Sequence, residues 1–292
     1  MKKILVISGK GGTGKTILTA SFASIAKNKI IVDCDVDAAN LYLLLNPVIR
    51  KKEVFMGGNE AKIDQEKCTK CGRCVEICRF EAINVTSDGK NKSYTIDPLS
   101  CEGCGACFYG CPAEAISLEE QKNGDWFISD TSYGPFVFAK LDIAAENSGR
   151  LVSKIKEEAS KLSRGWKSDY TILDGPPGIG CPVIASLSGV DLAVLVTEPT
   201  LSGMSDVERV MKVAEHFGVE TKVVINKYDI NIENSKTIED ICANKGIQIA
   251  GKIPFSENVP KSIVKRIPYV EFADDLVSDK IREVWANISK VD

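Results

Sequence analysis

The residues best placed to do chemistry come first in the chain. Gly9-Lys10-Gly11-Gly12-Thr13-Gly14-Lys15-Thr16 follows the apolar run Ile4-Leu-Val-Ile7. Gly9, Gly14, Lys15 and Thr16 fit the G-x-x-x-x-G-K-[ST] spacing. The glycines leave backbone N–H groups free to converge on phosphate oxygens. Lys15 is suited to the β/γ-phosphates and Thr16 Oγ to Mg²⁺. Such a loop works only between a strand and a helix, whose N-terminus favours an anion. Here Lys3–Ser8 reads as the strand and 17–27 as the helix.

Two further strand ends carry acids. Lys29-Ile-Ile-Val leads into Asp33, Asp35 and Asp37, at i, i+2 and i+4. An apolar strand ending in acids suits a parallel sheet whose carboxyl edge faces a ligand. The spacing fits a site beside Mg²⁺ and the γ-phosphate, and does not say which acid is the base. Tyr170-Thr-Ile-Leu-Asp174-Gly-Pro-Pro-Gly178 repeats the design, with Asp174 suited to the Mg²⁺ shell. Lys222–Asn226 is a third such strand, ending Asn226-Lys-Tyr-Asp229.

The second concentration of chemistry is cysteine. Eight of the eleven lie between 68 and 111. They form two runs, Cys68-x₂-Cys71-x₂-Cys74-x₃-Cys78 and Cys101-x₂-Cys104-x₂-Cys107-x₃-Cys111. This duplicated spacing is the two-cluster ferredoxin signature, in which the fourth cysteine serves the other cluster. It predicts one [4Fe–4S] cluster on Cys68, Cys71, Cys74 and Cys111, and another on Cys101, Cys104, Cys107 and Cys78. Arg79 stands where proline usually follows, which loosens a turn without removing a ligand and places a charge near that cluster. Zinc pairs normally use two C-x₂-C units split by a long loop, and no export signal favours disulfides.

Lys10 adds a second lysine early in the phosphate loop. With it, the stretch resembles the deviant Walker A ATPases of the MinD/ParA type and the related nitrogenase iron protein. The resemblance implies an ATP-dependent homodimer in which Lys10 reaches the partner's phosphates. It implies that Asp35 orients the attacking water and touches the Mg²⁺ shell, with Lys10, Lys15 and Asp35 catalytic. Asp174-Gly-Pro-Pro-Gly178 resembles Walker B and switch II, where Gly178 N–H can face the γ-phosphate. Asn226 would read adenine and Pro254 line the base pocket. Asn226-x₂-Asp229 also resembles the guanine-reading motif of GTPases; Lys10 and the acidic motif favour ATP. Cys181 follows switch II at the offset of a cluster ligand in the nitrogenase iron protein; packing as a small buried hydrophobe is the alternative.

The elements that position these groups alternate strand and helix. The expected fold is α/β, a mostly parallel-sheet P-loop NTPase with an inserted small α+β 2[4Fe–4S] ferredoxin-like domain. The ATPase domain takes 1–59 and 121–292 and the insert 60–120, with Gly57-Gly58-Asn59 as a hinge. Further on, 124–130 reads as a short strand, and Glu146-Asn147-Ser148-Gly149 as a loop before a helix over 151–162. That loop is a candidate for a moving dimer interface. His216 ends another helix and reads as structural.

Composition is consistent with this plan. Thirty-seven basic and forty acidic residues give a net charge of −3, with no nucleic-acid footprint. No apolar run suits a membrane span, and the last helix lacks the basic face of a membrane anchor. The expectation is a cytoplasmic protein using ATP/ADP, Mg²⁺ and two [4Fe–4S] clusters, with a redox partner that the sequence does not name. Three readings follow: a nucleotide-switched electron carrier, an iron–sulfur scaffold or carrier, and a redox-sensing spatial organiser.

Overall fold

The structure, a computed structural model, describes residues 1–88, 91–142 and 148–290. Its strands are β1 (Lys2–Ser8), β2 (Lys29–Asp33), β3 (Val48–Ile63), β4 (Ile83–Asp88), β5 (Asn91–Ile96), β6 (Ile116–Thr131), β7 (Gly134–Leu141), β8 (Tyr170–Pro177), β9 (Leu192–Thr197), β10 (Glu220–Asn226) and β11 (Gln248–Ile253). Two compact units emerge. The larger holds Met1–Glu53, Asp125–Lys140 and Ser148–Asp292; the smaller holds Val54–Gly124 and a stretch beginning at Leu141. The smaller is a few residues wider at each end than 60–120.

The sheet runs in the order β11-β10-β9-β1-β8-β2-β7-β6-β3. From β11 through β7 each neighbouring pair is parallel. Its central strands are apolar throughout because both faces are covered. Ile4, Leu5, Val6 and Ile7 of β1 are fully buried, as are Leu192 to Leu195 of β9. The helix Lys15–Ile25 lies on one face, with Phe22 buried 5.4 Å from the Trp285 ring of the C-terminal helix Leu276–Ser289. Its other side packs Ala20 and Ala23 into a cluster with Phe127, Phe136 and Phe138.

The smaller unit has its own core of Ala61, Ile83, Tyr94, Cys107 and Ile116, with β4 and β5 paired antiparallel. Two five-residue helices, Arg73–Ile77 and Ala106–Gly110, each follow a left-handed glycine, Gly72 at φ +80° and Gly105 at φ +76°. They meet closely: a Cβ on Gly110 would overlap Ile77 Cδ1.

Several boundaries differ from the sequence expectation. The first helix begins at Lys15, because Gly14 (φ +94°) turns the chain directly into it. Gly57-Gly58-Asn59 is no hinge; it lies inside the sixteen-residue β3. The Phe55 ring covers the space where a Gly57 Cβ would stand, so glycine here makes room for an aromatic. The strand expected over 124–130 is the end of β6, and the helix expected from 151 runs Ser148–Trp166. Glu146 and Asn147 lie outside the described residues. Among those described, no helix is long and apolar enough to cross a membrane.

Candidate functional site

The carboxyl ends of β1, β2, β8 and β10 bring the predicted nucleotide residues to one edge of the sheet. Lys15 is 6% exposed at the first turn of its helix. Thr19, one turn on, donates from Oγ1 to Asp174 Oδ1 at 2.8 Å, and the nearby Thr16 hydroxyl favours the ionised form of the same carboxylate. Asp33 and Asp174 are direct partners in the β2–β8 register, and both are buried. Burial pushes the Asp174 carboxyl up to about 6, opposed by Lys15 and by the hydroxyls of Thr16 and Thr19. Asp33 is pushed well above the usual carboxylate range by burial and then by Asp174 and Asp35. Two facing acids in a dry site disfavour double ionisation, so the pair is suited to a cation or a shared proton.

The three acids after β2 have different surroundings. Asp33 is sealed, and its oxygens accept N–H groups from Asp35 at 3.1 Å and Leu41 at 3.2 Å. Asp37 is exposed. Asp35 is half-buried; burial raises its pKa while the Lys15 ammonium opposes the rise. Asp35 is thus partly open to water within the influence of Lys15, and Asp37 is more open still. Spacing alone does not show this difference in exposure, which depends on β8 lying beside β2.

A cavity of about 370 Å³ opens beside the loop. Gly12, Gly14, Lys15 and Thr16 line one end, and Asn226, Ile253, Pro254, Phe255 and Val259 line the other. Asn226 Nδ2 donates to Thr13 O at 2.7 Å, tying the end of β10 to the phosphate loop. A Cβ at Gly14 would collide with that amide. Thr13 Oγ1 is buried with no hydrogen-bond partner among the described residues. A buried hydroxyl of this kind in a glycine loop suits an anion acceptor.

Lys10 does not point into this cavity. Its ammonium pairs with Glu198 Oε1 at 2.6 Å and donates to Thr200 Oγ1 and Ser202 Oγ, each at 3.0 Å. Glu198 also pairs with Lys227 at 3.1 Å. Sequence reasoning passed over Glu198, which follows β9 in an unremarkable Thr-Glu-Pro. Position after an apolar strand at the ligand edge was the available signal. Asp229, of the Asn-Lys-x-Asp tetrad, accepts the backbone N–H of Phe255 at 2.8 Å. Gly178 N–H donates to Ser8 O at 2.9 Å, so the γ-phosphate role expected of it requires a different loop conformation.

In the smaller unit, Cys68, Cys71, Cys74 and Cys111 line one small cavity with Gly72 and Arg73. Cys78, Cys101, Cys104 and Cys107 line another with Phe80 and Glu102. These are the two sets of four that the duplicated spacing predicts, with the fourth cysteines exchanged. Cys111 Sγ accepts the Ala115 N–H at 3.4 Å. Gly103 (φ +59°) has no room for a Cβ against Asn59 O. Among the described residues no three or more His, Cys, Asp or Glu side chains converge as the ligands of a metal ion would. The cysteines instead stand around two spaces. Of the other three, Cys34 and Cys242 are buried and Cys181 is exposed at the start of the helix Cys181–Leu187.

Residues 4–269 match the CobQ/CobB/MinD/ParA nucleotide binding domain. Over 292 residues the chain is 35% identical to Uncharacterized protein MJ0578 of Methanocaldococcus jannaschii, covering 99% of this chain and 96% of that protein. It is 23% identical over 280 residues to the septum site-determining protein MinD of Synechocystis sp., covering 92% of this chain and 82% of that protein. The structure of MinD from Pyrococcus horikoshii complexed with Mg-ADP shares the fold, with a TM-score of 0.58 at 18% identity over 99% of this chain and 96% of that one. The phosphate loop, both acidic strand ends and Asn226 all fall within the matched span, and the chain belongs to the CobQ/CobB/MinD/ParA family of nucleotide-binding domains.

Proposed function

We propose that this chain binds and hydrolyses ATP and couples nucleotide-driven homodimerisation to electron transfer through two [4Fe–4S] clusters. The observation that carries the reading is the pair of cysteine-lined cavities in the same chain as the nucleotide site. Cys68, Cys71, Cys74 and Cys111 would hold one cluster, and Cys78, Cys101, Cys104 and Cys107 the other. The exchanged fourth cysteines, the Ala115 N–H on Cys111 Sγ and the glycine turns all fit thiolates wrapped around a cluster. When bound, such clusters supply one-electron transfer at a potential set by the charges and hydrogen bonds around them.

In the larger unit, Lys15, Thr13 and the loop N–H groups would hold the phosphates. Thr16, Asp35 and Asp174 would hold Mg²⁺, directly or through its waters. Asp35, half-buried beside the Lys15 ammonium, would orient a water, and the low dielectric around Asp174 would strengthen its hold on a cation. Adenine rather than guanine is favoured by Lys10 and the acidic motif, and Asp229, which accepts the Phe255 N–H, is not among the residues lining the cavity. Lys10 would leave Glu198 to reach the phosphates of a second copy.

The test is an anaerobic ATPase rate and dimer mass, with the clusters oxidised and then reduced. Coupling requires a change in one or both. Identical values would separate the two activities and leave an iron–sulfur carrier as the better reading. A redox-sensing spatial organiser is the second reading, favoured by the MinD relatives. It predicts ATP-dependent assembly on a surface or partner without net electron delivery.

A further inference from the structure

The cysteine duplication supplies its own comparison. Aligning Cys68–Cys78 on Cys101–Cys111 sets Thr69 opposite Glu102, Arg73 opposite Ala106, and Arg79 opposite Pro112. The backbones are near-equivalent, each with a left-handed glycine opening a five-residue helix. The charges are not equivalent. Arg73 lines the cavity of Cys68, Cys71, Cys74 and Cys111, whereas Glu102 lines the other. Arg79 is exposed and is not among the residues lining either. The Ala115 N–H on Cys111 Sγ also belongs to the Arg73 cavity.

A cation or an N–H donor beside a cluster stabilises its more negative, reduced form, and an anion opposes it. In the Arg73 cavity both contributions favour reduction. None of the described residues lining the other cavity is cationic, and the Glu102 carboxylate there, itself engaged with a partner, opposes reduction. Arg73 and Glu102 are exposed, so solvent screens each effect without reversing its sign.

We propose that Arg73 and Glu102 make the two clusters inequivalent, with the one held by Cys68, Cys71, Cys74 and Cys111 the easier to reduce. The inference rests on the cluster reading given above. One electron delivered by an external low-potential one-electron donor then comes to rest in the Arg73 half. The donor is oxidised by one electron, that half is reduced by one, and no proton or covalent bond changes hands.

The experiment is a potentiometric titration followed by electron paramagnetic resonance, on full-length protein purified anaerobically and assayed for iron and sulfide. The wild type should give two waves. Arg73→Gln should lower the higher wave alone, shifting electron partition between the halves about tenfold, or about 59 mV for a one-electron couple. Arg73→Lys keeps the charge and should leave that wave in place. Glu102→Gln should raise the lower wave alone. A single wild-type wave, or an Arg73→Gln protein with both waves unmoved, overturns the proposal. Protein with no iron bound overturns the cluster reading itself, a result separable from either.

Discussion

Glu198 stands 2.6 Å from Lys10 and 3.1 Å from Lys227, so one carboxylate holds a cation from the phosphate loop and another from the end of β10. Its pKa lies below the usual range: burial opposes this, and the two lysines overcome it. On the proposed reading, a nucleotide phosphate would compete with this carboxylate for the Lys10 ammonium. Replacing Glu198 with Gln should tighten binding of a fluorescent ATP analogue by about threefold to tenfold, the scale of a partly exposed ion pair. Weaker binding would show that Glu198 positions the lysines for the nucleotide.

Asp174 illustrates a site built against stability. It faces Asp33 across two strands in a dry site and is held by Thr19. Asp174→Asn should raise the melting temperature of nucleotide-free protein by a few degrees, because a buried like-charge pair is removed. The same variant should lose the extra stabilisation that Mg-ATP gives the wild type, and its ATPase rate should fall at least about 100-fold. Calorimetry with and without Mg-ATP measures both effects. An unchanged Mg-ATP response would remove Asp174 from the metal shell.

Lys156 provides a pH signature away from the site. Its ammonium donates to the carbonyls of Ala185, Ser186 and Ser188, at 2.6 to 2.7 Å, at the end of the helix Cys181–Leu187. Burial lowers its pKa to about 8, opposed by Cys34. Between about pH 8 and 10.5 the unfolded chain binds this proton more strongly than the native one. The cost of charging Lys156 in the native state is therefore complete below pH 8 and is relieved as pH rises through that window. NMR of the reductively ¹³C-methylated protein should show one lysine titrating near pH 8, absent from Lys156→Met. If every lysine titrates near 10.5, the side chain is better hydrated than its three carbonyl partners imply.

Asp229 offers a test of the choice of base. Because it braces the Phe255 N–H, Asp229→Asn should leave ATP preferred over GTP and lower stability by about 1 kcal/mol. Competition binding with the two nucleotides decides this. GTP binding that disappears in Asp229→Asn would restore the guanine-reading role.

Iron content tests the cysteine assignment position by position. Each Cys→Ser change among the eight should cost about half the iron or more, since either site loses a ligand. Cys34→Ala, Cys181→Ala and Cys242→Ala should retain it. Loss of iron in Cys181→Ala would bring that exposed thiol into a cluster site after all.

How far the sequence went depended on whether the chemistry was local. The phosphate loop and the cysteine runs are legible because spacing along the chain creates their geometry. Asp33, Asp35 and Asp37 were found together, but their different exposure was not legible, because it depends on β8 lying alongside β2. Glu198 was missed because its partners are 188 residues before it and 29 after it. The length of β3 was missed for a related reason. Gly57-Gly58 signals a break in isolation, and only the Phe55 ring and the neighbouring β6 make it strand.

The exchange of Cys78 and Cys111 between the two cavities has a consequence in time. Cys111 is made 37 residues after Cys74, so the first set of four stays incomplete while the second half is translated. At ordinary synthesis rates that delay is about 2 to 7 s. On the proposed cluster reading, neither set of four is complete until the second run of cysteines has been made.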